Sequence, residues 1–553
     1  MVRQRVLCVL ALALARVMLA FAPGYVHPDE WHQSNEPTAR DLYGVDATIP
    51  WEFDRAAPAR SIVGAYLSAG IAHAVARAVG AEARTAAAAA PRALGLALST
   101  AADGAVVACA RAIGVDAFDA WCLFASSWVV LVVLVRPFSN STETLAAAAC
   151  ALAATARGRD GGRRDHLARC AAVGAIGGVA VFVRFTSAVY VAPWAALVVM
   201  MAGRESLATA ALGALSGVAT AALAAVACVV TDTAYFSGKE FFDESVWIPR
   251  NWIVTPWNSF SYNARVENLA AHGLHPRYLH AAVNGPLMFG PLWFVVWLGI
   301  FRTGRWKRST SLSASSDVVA IVRTLQASVA LPLAALSLAP HQEPRFLAAM
   351  IVPTCALAAF HAKEFKVLRR SGFFLGWIAL NAALTCLFGV LHQGGVVPAM
   401  RALANVDSLA LGDASRVRAI FWKTYMPPRA LLGQKIGDDR VSITDIAGAS
   451  AREARELLAS AVAARECAAE ESSCAAGDDR ATLLIAPALA FDHLRELTSE
   501  TLDFELAFER FPHLSLDHLD DVRRRLARAS PRDRVRVLLR SLRLTAHVVT
   551  PRP

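Results

Sequence analysis

What most constrains this chain is the recurrence of apolar stretches of membrane length, or close to it, from its start to about residue 395. They lie near 5–22, 61–80, 88–112, 118–135, 143–156, 168–183, 186–202, 206–231, 282–301, 318–340, 346–362 and 373–395. A bilayer core takes about 20 apolar residues as a helix, because backbone groups in hydrocarbon must satisfy one another. Only 18% of the residues are charged, which argues against a single soluble globule. The pattern predicts an all-α polytopic membrane protein with about 11–12 transmembrane segments. Several runs are short and predict broken or tilted helices. The first follows Arg3 and Arg5 and reads as a retained anchor in preference to a signal peptide.

The formal net charge is +10. The basic residues gather in short loops, at 157–166, 302–317 and 363–371, which is the positive-inside pattern and not a nucleic-acid footprint. That orientation puts 23–60, 232–281, the short segment at 341–345 and everything after 395 on the opposite face. Counting each run between 61 and 142 as a full span conflicts with the later loops by one crossing. One of those runs is therefore expected to be two half-helices or to lie in the interface.

Residues 400–553 change character. The charged fraction rises, Val441–Asp445 and 483–486 read as short buried strands, and 451–464 as an amphipathic helix. The expected organisation is a multispanning region, 1–399, with polar loops 23–60 and 232–281, followed by a small α/β domain, 400–553. The ten cysteines show no close-spaced CxxC pair, so a zinc site has no support. Eight lie in or beside apolar runs and read as buried small hydrophobes. Cys467 and Cys474 fall in the polar region and have the option of a disulfide in an oxidising compartment.

Two polar clusters carry chemistry. The first is His27-Pro28-Asp29-Glu30-Trp31-His32-Gln33, followed by Glu36, Arg40 and Asp41, immediately after the first apolar run. Ionisable groups at a membrane boundary are costly without partners, and a carboxylate there can act as a general base. A solvated loop with a capping Asp fits the same residues. The second is Pro340-His341-Gln342-Glu343-Pro344-Arg345-Phe346, wedged between two apolar runs. Arg345 offers a donor fork suited to phosphate and His341 a further donor. A salt-bridged Glu343–Arg345 turn fits equally well. Arg184, at the end of a run, is explained by snorkelling and Asp232 by a solvated helix end. Asn140-Ser141-Thr142 is a glycosylation sequon abutting the membrane.

The His-Pro-Asp-Glu element followed by His-Gln-Glu-x-Arg-Phe resembles the dolichol-phosphate-mannose-dependent mannosyltransferases of glycosyltransferase family 22. Further stretches resemble most the branch that adds the fourth mannose of glycosylphosphatidylinositol (GPI). They are Pro50-Trp51-Glu52-Phe53 with Arg60-Ser61, then Arg136-Pro137-Phe138-Ser139-Asn140 with Glu143, then 255–285, which includes Asn258, His272 and His275, and Lys423-Thr424-Tyr425-Met426-Pro427-Pro428-Arg429. His32 and Pro37 depart from the family pattern, as does the lack of a cysteine in 54–59.

The resemblance implies the C-type glycosyltransferase fold, an endoplasmic reticulum membrane location with a lumenal active site and lumenal C-terminal domain, and inverting transfer from dolichyl phosphate mannose to a GPI-lipid acceptor. It implies no obligatory cofactor. The chain shows no Rossmann or P-loop glycine pattern, as suits a lipid phosphate leaving group; Asp29, Glu30 and His27 nevertheless have the chemistry to bind a metal. On this reading Asp29 is the base. Glu30 is the alternative, or it orients the acceptor or raises its neighbour's pKa. His341 and Arg345 hold the departing phosphate, with His27, Gln33, Gln342 and Glu343 in the substrate-binding set and Arg184, Asp232, Asn258 and His275 as further candidates. The two clusters are expected to face one groove. Another family 22 enzyme, adding the third GPI mannose or an N-glycan mannose, is the near alternative. A transporter or scaffold is the distant one.

Overall fold

The structure is a computed structural model that describes residues 2–156, 162–306, 315–365, 371–409, 416–470, 480–498 and 500–552. Much of each expected basic loop (157–161, 307–314 and 366–370) lies outside the described residues, as does Cys474, so the Cys467–Cys474 pairing does too. The chain is mostly helical, with a small sheet near its C-terminus. Contacts divide it into two compact units. One comprises Met1–Ala20, Ile49–Ile71 and Pro91–Ala383; the other comprises Phe21–Thr48, Ala72–Ala90 and Leu384–Pro553. The second unit thus takes in Phe21–Thr48, Ala72–Ala90 and 384–399 from the N-terminal side of a cut at 399/400.

Each apolar run is built mainly of helix. Among the described residues seven helices are long and apolar enough to cross a membrane: Ala83–Ala112, Arg163–Val183, Ser187–Glu205, Leu207–Ser237, Ser316–Ser337, Pro344–Ala362 and Gly372–Leu391. Ile62–Ala78 and Pro291–Arg302 are shorter apolar helices, and Val2–Ala20 adds a helix with exposed Leu7, Leu10, Leu14 and Met18. Among the described residues the run at 118–135 is interrupted. Helix Ala117–Ala125 stops, and a π-turn, Val129–Val133, follows. The gap is closed from a distant helix, where Asn381 Oδ1 accepts from the Trp128 N–H at 2.8 Å and Trp377 donates to Ser126 Oγ at 2.9 Å. These two bonds tie the interruption to that helix.

Helices Arg163–Val183 and Leu207–Ser237 pack through small residues. A Cβ on Gly174 would overlap the carbonyl of Gly217, and one on Gly178 that of Ala221. Thr220 Oγ1 donates across to the Ala171 carbonyl at 2.8 Å. Close approach of this kind replaces the hydrophobic drive that lipid does not supply. Of the eight cysteines in or beside the apolar runs, Cys109, Cys150, Cys170, Cys228 and Cys355 are buried free thiols, as expected for small hydrophobes, whereas Cys8 and Cys122 are partly exposed and Cys386 is exposed.

The second unit is built on a five-stranded sheet of order β2-β1-β3-β5-β4, with β1 Val417–Phe421, β2 Val441–Asp445, β3 Ala481–Pro487, β4 Leu502–Arg510 and β5 Leu544–Pro551. β1 pairs parallel with β2 and β3, and β5 pairs antiparallel with β3 and β4. Alternation along β1 and β3 sorts the two faces. Ile420, Leu484 and Ala486, with Trp422 just beyond β1, meet Ala454, Leu458 and Val462 of helix Ala451–Glu470. Ala419, Phe421, Leu483 and Ile485 face Tyr25, Trp31, Val396 and Met400. The early polar segment is thereby anchored on the sheet's other face, which fixes where the first cluster stands.

Candidate active site

The first cluster begins with a short helix, Asp29–His32, opened by Pro28. Gln33 donates its side-chain amide to Asp29 Oδ2 at 2.6 Å. The Asp29 N–H lies 3.2 Å from His27 Nδ1, and the same nitrogen is 3.4 Å from Asp29 Oδ1. Asp29 keeps 21% of its side chain exposed, whereas Glu30 is completely buried. Of the two acids, Asp29 is the one that reaches the surface. Tyr25, which donates to the Met426 carbonyl at 2.9 Å, is pushed well above its usual pKa by burial and then by the nearby Glu30, Glu36 and Asp29 carboxyls. His32 is held near 4 by burial and is neutral.

The late Tyr-Met-Pro-Pro-Arg element folds against this segment, which explains its presence some 400 residues away. Tyr25 meets Tyr425 edge-on at 5.5 Å between ring centroids. The N–H groups of Thr48 and Ala430 donate to the two oxygens of Glu36 at 2.7 and 2.9 Å. Glu36 is the residue that sequence reasoning left outside the site set. Its only signal is a position two turns after Asp29, and only the fold reveals its role as the tie between segments.

The second cluster lies in the first unit. His341 places Nδ1 3.0 Å from the Gly273 carbonyl and Nε2 2.9 Å from Glu343 Oε1. Both partners only accept, so both ring nitrogens carry protons. The hydrogen bond to Glu343 correspondingly raises the His341 pKa. Arg345 Nε donates to Glu343 Oε2 at 2.5 Å. The triad, two cations around one carboxylate, keeps a net positive charge suited to a phosphate. The salt-bridged turn is therefore real and is part of the same arrangement.

Arg184 does not snorkel. It turns inward, donating to Ser139 Oγ at 3.1 Å and lying 3.5 Å from Glu143 Oε2. Its guanidinium rests on the Phe346 ring at 5.1 Å, and that of Arg345 lies 5.7 Å from the same ring. Asp232 is not a solvated helix end either. It is fully buried and accepts from Ser61 Oγ, the Ile62 N–H and Thr255 Oγ1 at 2.9, 3.0 and 2.7 Å. Asn258 donates to the Pro58 carbonyl at 2.9 Å. Both residues position the 58–62 segment. Gln342 is spent on the backbone, accepting from the His280 N–H at 2.8 Å and donating to the carbonyls of Arg277, Ser337 and Ala339. His275 accepts from the Gln342 N–H at 3.2 Å, with its ring 5.6 Å from that of His341. Asn140 of the sequon is buried. Among the described residues no group of three or more His, Cys, Asp or Glu is arranged to hold a metal ion.

The model of the Alg9-like mannosyltransferase family matches residues 7–432. The Homo sapiens protein named GPI alpha-1,2-mannosyltransferase 4 is 34% identical over 466 residues, covering 79% of this chain and 78% of that protein. GPI mannosyltransferase 4 of Emericella nidulans is 31% identical, covering 77% of this chain and 76% of its own. That of Eremothecium gossypii is 30% identical, covering 92% and 94%. Among solved structures, ArnT from Cupriavidus metallidurans bound to undecaprenyl phosphate aligns at a TM-score of 0.49 and 12% identity, covering 91% of this chain and 96% of that one. With the family model spanning both clusters and the Tyr-Met-Pro-Pro-Arg element, this chain belongs to the Alg9-like mannosyltransferase family.

Proposed function

We propose that the chain is an α-1,2-mannosyltransferase of GPI-anchor biosynthesis, adding the fourth mannose from dolichyl phosphate mannose at the lumenal face of the endoplasmic reticulum membrane. The observation that carries this over other members of the family is the run of relatives named for that step, matched over three quarters or more of their length. In this reading 1–399 is the membrane catalytic region and 400–553 a lumenal domain.

Asp29 takes the proton of the acceptor hydroxyl as its oxygen attacks C1 of the donor mannose. The C1–O bond to phosphate breaks, its electron pair goes to the phosphate oxygen, and the configuration at C1 inverts. Gln33 orients the carboxylate that takes the proton. Arg345 and protonated His341 stabilise the phosphate as charge develops there, which is where fixed donors contribute most. Arg184, sharing Phe346 with Arg345, adds positive potential.

The test is transfer by the purified protein in lipid nanodiscs. Given dolichyl phosphate mannose and a three-mannose GPI precursor, the expected product carries a fourth, α-1,2-linked mannose. Transfer instead to a two-mannose GPI precursor, or to a lipid-linked N-glycan precursor, would overturn the assignment.

A further inference from the structure

We propose that Trp51 is the platform on which a neutral hexopyranose of the acceptor glycan rests, with Tyr262 behind it and His272 beside it. This rests on the glycosyl-transfer reading and names where the acceptor sugar binds.

The turn Trp51–Phe53 sorts its two aromatics in opposite directions. Phe53 is buried with Ile62, Ala65 and Phe236, which anchors the turn. Trp51 is left 47% exposed although it is among the largest apolar side chains. Tyr262 supports its ring from one side, 4.3 Å between centroids, and the His272 ring lies nearly parallel to it at 6.4 Å. Tyr262 Oη and His272 Nε2 are 3.1 Å apart, so the supporting pair is locked by a hydrogen bond. The indole is therefore braced by Tyr262 while much of its surface stays exposed.

The surroundings are polar. Arg60 grips Glu52, the next residue, through Nε and Nη2 at 3.1 and 2.6 Å. The His272 ring lies 5.9 Å from that of His341. Ring contacts thus run from Trp51 through Tyr262 and His272 to the triad holding Arg345. A braced aromatic ring edged by hydrogen-bonding groups suits a pyranose, which presents C–H bonds on one face and hydroxyls around its rim. It suits a lipid tail poorly, because a tail offers no hydroxyls to the polar groups that edge the ring. Glycosyl transfer also needs the acceptor sugar close to the departing phosphate, and this platform adjoins the residues assigned to that phosphate.

The experiment compares wild type, Trp51→Ala and Trp51→Phe as full-length proteins in nanodiscs. One arm measures binding of a water-soluble α-trimannoside by saturation-transfer NMR. The other measures KM for the three-mannose GPI acceptor and for dolichyl phosphate mannose separately. Trp51→Ala is expected to weaken trimannoside binding and raise acceptor KM roughly tenfold, the scale of losing one well-packed aromatic anchor, with donor KM unchanged. Trp51→Phe, which keeps an aromatic face and carries the test should the alanine variant fail to insert, is expected to stay within about threefold. Unchanged binding and acceptor KM in Trp51→Ala would overturn the platform while transfer by wild type upheld the function. A rise in donor KM alone would reassign Trp51 to the lipid side and overturn it too. Wild type that binds the trimannoside through Trp51 yet transfers nothing to the GPI acceptor would sink the functional reading and leave the platform standing.

Discussion

Gln33 donates its side-chain amide to Asp29 Oδ2 at 2.6 Å, one helical turn further along the chain. The bond fixes the carboxylate that the fully buried Glu30 cannot replace at the surface. Asp29→Asn keeps the volume and an oxygen for Gln33, but it cannot take a proton at neutral pH. Mannose transfer is expected to fall about 10²–10⁴-fold with membrane levels near normal. Glu30→Gln should cost less in kcat. The measurement is initial rate normalised to protein in the membrane, and near-wild-type transfer by Asp29→Asn would remove it from the base role.

Arg345 engages Glu343 through Nε at 2.5 Å and lies against Phe346. Lys at this position keeps the charge and loses the fork. Arg345→Lys is expected to raise KM for dolichyl phosphate mannose roughly tenfold to a hundredfold, the loss of a charged hydrogen bond, while acceptor KM stays constant. Glu343→Gln removes the carboxylate that raises the His341 pKa, so the alkaline limb of the donor KM profile should move to lower pH. A donor KM indifferent to both changes would take the triad out of phosphate binding.

The helical membrane architecture was legible because run length and apolarity directly report burial in lipid. The strand at Val441–Asp445 and the helix from Ala451 were legible from local periodicity. What escaped was long-range. Nothing local to Tyr25 or Trp31 says that they pack on a sheet whose strands begin at Val417. Asp232 and Arg184 have bland local explanations, and each was overturned by partners far along the chain: Ser61 for Asp232, Ser139 for Arg184. A polar residue at a segment end carries no mark of whether water or protein will satisfy it.

Gly174 faces the Gly217 carbonyl so closely that any Cβ must move the backbone. Gly174→Val is expected to separate helices Arg163–Val183 and Leu207–Ser237 and to lower the folded yield. Gly104, with open space around its Cβ position, is the matched control, and Gly104→Ala should be silent. Fluorescence-detected size exclusion after mild solubilisation reads both. A monodisperse Gly174→Val at wild-type yield would show that the helix pair tolerates a wider spacing.

Burial lifts the Glu36 carboxyl to about 8, against the lowering effect of the Thr48 and Ala430 N–H groups. In the unfolded chain it titrates near about 4.3. At neutral pH the folded state therefore holds a proton that the unfolded state has lost. Stability rises with pH only where the unfolded state binds more protons, so this contribution runs the other way. It is fully present below about 4.3 and is lost as pH climbs through about 8. The buried His32 and His513, held near 4 and 3 by burial, act with the opposite sign. Their contribution is present above about 6.5 and is lost as pH falls through their folded values. Above pH of about 7 both histidines are largely neutral in either state, which isolates Glu36 from them. The unfolding midpoint of the wild type should fall from pH 7 towards about 8.5. In Glu36→Gln that slope should flatten. The variant should also be less stable by roughly 1–3 kcal/mol, because its amide NH₂ faces a buried backbone N–H. Midpoints are read at one scan rate and fixed ionic strength, on the full chain in nanodiscs. Equal slopes in the two proteins would assign the pH dependence to another group and leave Glu36 ionised in the folded state.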